Sequence, residues 1–164
     1  MAKGYATIKN DGGYRNPTCI IKITDADGQV LYQADQTASV VYKENACRQM
    51  TDMLQTVITS GTGRGYSLGN MPCAGKTGTT NDNKDGWFVG YTPYYTTSVW
   101  VGYDIPKEVP GLGGGTYPGK IWYSFMSWLH EGLEPIDFVH PLDQTLTDLG
   151  QTNTTENALP ETGE

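Results

Sequence analysis

The segment Ala74-Gly75-Lys76-Thr77-Gly78-Thr79-Thr80 gathers one cation, three hydroxyls and two glycines within seven residues. Such a segment can turn a Lys charge, Thr hydroxyls and bare backbone toward one anionic group. Glycine has no Cβ, so a ligand can approach the main chain closely there. Backbone N–H groups beside it are ready donors for an oxyanion. This chemistry binds an anion, but it does not by itself name a reaction.

A phosphate-cradling loop needs a Gly, four residues, then Gly-Lys-Ser/Thr, and a helix must follow. Position 70 is Asn70, Gly69 is one residue too early, and a polar turn follows in place of a helix. Lys-Thr-Gly alone would be read as a surface turn. Its flanks point elsewhere. Residues 87–91 and 97–103 are β-rich aromatic runs joined by Thr92-Pro93-Tyr94-Tyr95, which predicts a hairpin. The run from Gly75 through Pro93, Gly-Lys-Thr-Gly-Thr-Thr-Asn-Asp-Asn-Lys-Asp-Gly-Trp-Phe-Val-Gly-Tyr-Thr-Pro, closely resembles class A penicillin-binding proteins. These are bifunctional peptidoglycan synthases, and the run matches the Lys-Thr-Gly motif of their transpeptidase domain.

Three further stretches carry the same resemblance. Met-Ala-x-x-Tyr-Ala-Thr at residues 1–7 is similar to a helix in the middle of that domain, which implies that Met1 is internal. Gly61-Thr62-Gly63 precedes the Lys-Thr-Gly strand as it does in the family. The Ile121-Trp122…Phe125-Met126 signature matches the family's C-terminal helix. The resemblance implies an α/β (α+β) fold, part of the serine β-lactamase/DD-transpeptidase type, with an antiparallel sheet and packed helices. Residues 1–144 would be the C-terminal portion of that domain.

The elements that must position the segment can be drafted from patterning. Residues 1–10 have helical spacing in Met1, Tyr5 and Ile8. Residues 18–23 and 29–33 flank Asp25-Ala26-Asp27-Gly28, a hairpin signal preferred here over a calcium loop. Residues 43–60 predict a helix with Ala46, Met50, Leu54, Val57 and Ile58 on its core face, and Met53 as further core. Residues 106–119 form a Gly/Pro-rich loop; its Gly111-Leu112-Gly113-Gly114-Gly115-Thr116 falls short of a dinucleotide fingerprint. Residues 121–129 are apolar at both helical faces and predict a well-buried helix. Trp87 is read as core, Arg64 as a solvated loop residue, Asp82 and Asp85 as turn-holders, and His130 and His140 as surface residues.

Composition limits the alternatives. The chain has 164 residues and a net charge of −7, without a basic cluster for nucleic acid. No apolar run approaches the ~20 residues of a membrane span. Cys19, Cys47 and Cys73 are scattered, which argues against disulfide or zinc frameworks. Cys73 is read as a buried thiol and not as a nucleophile. Residues 145–164 are polar and expected to be disordered. They end in Leu159-Pro160-Glu161-Thr162-Gly163, the pattern sortases cleave; without an apolar stretch after it, the match is read as coincidence, with a truncated signal or a tag as alternatives.

The family's acylation chemistry also needs Ser-x-x-Lys and Ser-x-Asn. At the third position after Ser39, Ser60, Ser67, Ser98, Ser124 and Ser127 stand Tyr42, Gly63, Asn70, Val101, Ser127 and His130. A serine without a base is a poor nucleophile, so the chain is expected to be inactive alone. Within an intact domain, the resemblance implies that Lys76, Thr77, Gly78, Thr79 and Thr80 bind substrate. Lys76 would supply positive potential for the D-Ala-D-Ala stem peptide's carboxylate, Thr77 and Thr79 hydroxyls would hold it, and Thr79 N–H would share the oxyanion hole. β-Lactams would use the same site, on the extracytoplasmic face of the membrane; no cofactor or metal is implied. The missing N-terminal half of the domain would be the partner. A DD-carboxypeptidase or β-lactamase shares the motifs but not the longer run, and a non-catalytic docking half-domain is the remaining alternative. Such a piece should expose apolar surface.

Overall fold

The computed structural model describes residues 1–141, so the polar segment 145–164 and the end of the 1–144 unit lie outside the described residues. Helix α1 (Ala2–Lys9) ends where Asp11 and Gly12 take φ values of 53° and 86°. A Cβ on Gly12 would stand 2.1 Å from the Tyr42 carbonyl oxygen, so only glycine fits this crossing. Strand β1 (Gly13–Tyr14) pairs antiparallel with β4 (Ser39–Val40). Between them β2 (Lys22–Thr24) and β3 (Val30–Gln33) form the expected hairpin. Its turn is held by the Asp25 carboxylate, which accepts from the N–H groups of Asp27 and Gln29 at 3.0 and 2.8 Å. The oxygen therefore serves the turn, as the Asp-Gly signal predicts.

Helix α2 (Glu44–Thr59) falls where expected, but its core face is rotated. Cys47, Thr51, Leu54 and Ile58 are buried, whereas Ala46, Met50 and Met53 face solvent. Two polar anchors fix this orientation. Arg48 grips Asp11 with both Nε and Nη2, at 3.2 and 2.9 Å, and also pairs with Glu44. On the buried side Thr51 shares a 2.9 Å hydrogen bond with the Tyr91 hydroxyl.

The principal sheet is antiparallel in the order β5 (Ala74–Thr79), β6 (Asp85–Tyr91), β7 (Thr96–Gly102). Helix α3 (Tyr117–Leu129) lies across it, and Phe88, Trp122, Met126, Ile58 and Cys73 make the core between them. Glycine makes this close approach possible: a Cβ on Gly90 would lie 2.6 Å from the Trp122 ring. Only one face of α3 is buried, contrary to the expectation of a helix enclosed all round. Ile121, Phe125 and Trp128 are 50%, 44% and 63% exposed. His130 also departs from its expected surface position. It is buried, with Nε2 2.8 Å from Thr92 Oγ1 and Nδ1 2.7 Å from the Met126 carbonyl, and so joins the end of α3 to the β6–β7 turn. No helix among the described residues is long and apolar enough to cross a membrane.

Candidate active site

Lys76, Thr77, Gly78 and Thr79 sit on β5, an outer strand of the sheet. Backbone alternation decides which groups reach its free edge. Thr80 N–H donates to the Asp85 carbonyl at 3.0 Å, so 80/85 is a hydrogen-bonded pair. Such pairs alternate along an antiparallel ladder, and the register continues through Gly78↔Trp87 and Lys76↔Val89. Thr77 and Thr79 therefore turn their N–H and C=O groups away from β6. The β6–β7 ladder agrees, since Thr92 N–H donates to the Tyr95 carbonyl and leaves even positions of β6 for β7 and odd ones for β5.

Side chains alternate across the same strand. Thr77 and Thr79 share the face of Phe88, while Lys76 emerges on the opposite face and curls to the edge, where Nζ donates to the Thr77 carbonyl at 2.8 Å. Lys76 is exposed, and no carboxylate among the described residues lies within ion-pair reach of it. One cation and the Thr79 N–H thus lie at a single strand edge, with the Thr77 and Thr79 hydroxyls beside it on the Phe88 face. That arrangement can hold a carboxylate and stabilise a nearby oxyanion.

Thr80 is occupied otherwise. Its Oγ1 accepts from Asp85 N–H at 2.8 Å, closing the turn through Asn81–Asn83, where Asp82 and Asn83 adopt positive φ. Asp85 also accepts from Trp100 Nε1 at 2.9 Å, and Asp82 pairs with Lys84 at 3.1 Å. Both aspartates thus hold this turn, as expected. Trp87 is half-buried, not core; it lies beside Gly78 on the Lys76 face and stacks obliquely on Trp100. Arg64 is exposed. Cys73 is buried, which pushes its thiol up from the ordinary range, the opposite of an activated nucleophile.

Two contacts of the site were not legible in the sequence. Thr62 Oγ1 lies 2.6 Å from Thr77 Oγ1, and Gly114 N–H donates to Thr79 Oγ1 at 3.0 Å. A Cβ on Gly114 would meet Trp87 O at 2.4 Å and Gly78 N at 2.6 Å, so the loop presses its backbone onto the β5–β6 ladder. A separate open cleft of about 330 Å³ beside α1, lined by Lys3, Asn10 and Arg15 among others, contains none of these groups.

The helix-backed antiparallel sheet with β5 at its edge is that of a penicillin binding protein transpeptidase domain. Residues 1–127 match the family described as penicillin binding protein transpeptidase domain, and the chain belongs to it. Over 140 residues it is 40% identical to penicillin-binding protein 1A of Neisseria lactamica, which covers 80% of this chain. The chain spans only 17% of that relative's length. Among solved structures it resembles the penicillin-binding protein PonA1 from Mycobacterium tuberculosis, with a TM-score of 0.77 and 33% identity. That match covers 87% of this chain and 40% of the other. PonA1 is also known in complex with penicillin V, and that structure matches with a TM-score of 0.75. The class A resemblance and the α/β fold are therefore established.

Proposed function

We propose that this chain supplies the carboxylate-binding edge and one oxyanion donor of a peptidoglycan DD-transpeptidase that cross-links stem peptides. The observation that carries this is that Lys76 Nζ and Thr79 N–H lie at the free edge of β5, next to the Thr77 and Thr79 hydroxyls on one face of the same strand. A D-Ala-D-Ala stem peptide would lie along this edge, with Gly78 leaving room for its backbone. A serine from outside this chain would attack the penultimate carbonyl. Thr79 N–H would receive the negative charge on the carbonyl oxygen, and losing one such donor typically costs about 2.7–4 kcal/mol of transition-state stabilisation. The terminal D-Ala would leave with a proton, and a neighbouring stem-peptide amine would then take the acyl group from the serine ester. β-Lactams would acylate the same serine. The parent enzyme would act on the extracytoplasmic face of the membrane.

No serine here has a Lys at the third following position, so the chain alone should form no acyl-enzyme. Incubation with a fluorescent penicillin and intact mass spectrometry tests this. No adduct is expected on this chain. When the relatives' preceding transpeptidase segment is added in trans, an adduct should appear on that segment and be lost with Lys76→Ala. A stoichiometric adduct on this chain alone would overturn the proposal. A second reading, a non-catalytic half-domain that docks on a partner, is favoured by the exposed Ile121, Phe125 and Trp128. A stable complex without acylation would select it.

A further inference from the structure

The Thr77 and Thr79 hydroxyls are each hydrogen-bonded by a group outside the Lys-Thr-Gly segment. Thr62 reaches Thr77 at 2.6 Å, and the Gly114 N–H reaches Thr79 at 3.0 Å. Both groups are held firmly. Gly63 N–H donates to the Val57 carbonyl at 3.0 Å and Arg64 N–H to the Gly61 carbonyl at 3.1 Å, which ties the Thr62 turn to the end of α2. On the other side Tyr66 OH donates to the Gly115 carbonyl at 2.7 Å, and Thr116 Oγ1 accepts from Gly113 N–H at 2.8 Å. Tyr66 itself packs edge-on against Phe88, beneath the strand.

A threonine hydroxyl owns one proton and can accept in return. At Thr79 the oxygen accepts from Gly114, so its proton remains available. At the Thr62–Thr77 pair two protons serve one internal bond, and the second is left over. An anion at the edge settles the direction: Thr77 gives its proton outward, and Thr62 donates to the Thr77 oxygen. A hydroxyl that accepts one bond becomes a stronger donor in the next. We infer that Thr62 and the Gly114 N–H are positioning groups that each fill one lone pair of Thr77 and Thr79 and leave the hydroxyl protons free for a ligand, so that the site favours a free terminal carboxylate over a carboxamide. This rests on the carboxylate-binding role proposed above. A carboxylate accepts both hydroxyl protons, whereas a carboxamide that turns its N–H toward one hydroxyl can be accepted only on that oxygen's remaining lone pair, and the hydroxyl then gives up its own bond to the ligand.

The test is an NMR titration of the full chain with a tripeptide ending in D-Ala-D-Ala and with its C-terminal carboxamide, followed at the amides of Thr77 and Thr79. The wild type should prefer the carboxylate. Thr62→Val keeps the side-chain shape and removes the hydroxyl, and should shrink that preference roughly five- to tenfold, the size of one net hydrogen bond. Thr62→Ser should restore it, and a fold-only role for Thr62 would not move the ratio of the two ligands. An unchanged ratio in Thr62→Val overturns the inference while leaving the site intact. Absence of carboxylate binding by the wild type overturns the site itself, and the inference falls with it.

Discussion

Tyr91 has no exposed surface, and its hydroxyl meets Thr51 across the interface of β6 and α2. Burial pushes its phenol up to about 12, against a smaller lowering by the Thr51 hydrogen bond. Because the folded value lies above the ordinary 10.0, the stabilisation is complete below pH 10 and is lost as pH rises toward 12. In that window the unfolded chain gives up a proton that the folded chain keeps. A shift of this size corresponds to a loss on the order of 2–3 kcal/mol. Urea unfolding between pH 8 and 12 should show this decline, and Tyr91→Phe should flatten most of it; an equally steep decline in the variant would exclude Tyr91 as its source. At the same scale, Lys76, Thr77 and Thr79 were legible because a cation, hydroxyls and glycines adjoin in one segment. Thr62 and Gly114 were not, since they stand 15 and 35 residues from their partners and meet them only in the fold.

At the scale of elements, both hairpins and α2 followed from periodicity and turn chemistry, and the strand character of β5 from the family resemblance. The orientation of α2 did not. Hydropathy ranks Met50 above Thr51, yet Thr51 is the residue buried, because a buried phenol needs a hydroxyl partner. For α3 the pattern was apolar on both faces, and sequence alone could not say which face the sheet would cover. Glycine decides it. Gly90 leaves room for the Trp122 ring, whose Nε1 donates back to the Gly90 carbonyl at 3.3 Å. In Gly90→Ala the new methyl would meet a fully enclosed indole that has no room to withdraw. Overpacking of this kind should destabilise by about 1–3 kcal/mol, whereas Trp128→Ala on the open face should stay within about 0.5 kcal/mol. Denaturant midpoints for the two variants would check this; comparable losses in both would place the helix differently on the sheet.

At the scale of the whole molecule, a chain of net charge −7 carries an uncovered apolar flank. Tyr123 packs toward Tyr66, so Ile121, Phe125 and Trp128 line the other side of α3, next to β7. The outward edge of β7 has no strand partner among the described residues, and the strand carries neither Lys nor Pro to discourage pairing. An apolar stripe beside an unpaired strand is a surface on which another element or another copy can pack. Two forces then compete when the chain is alone in solution. Like charge keeps copies apart, but at physiological ionic strength it is screened beyond ~8 Å, whereas burial of apolar surface is not weakened by salt. Self-association should therefore strengthen as salt is raised from low to moderate concentration. Sedimentation velocity across that range should show it, and Phe125→Lys with Trp128→Lys should keep the chain monomeric with its unfolding midpoint little changed. Association that weakens with salt, or that survives the double substitution, would mean that charged surface, and not this flank, brings the copies together.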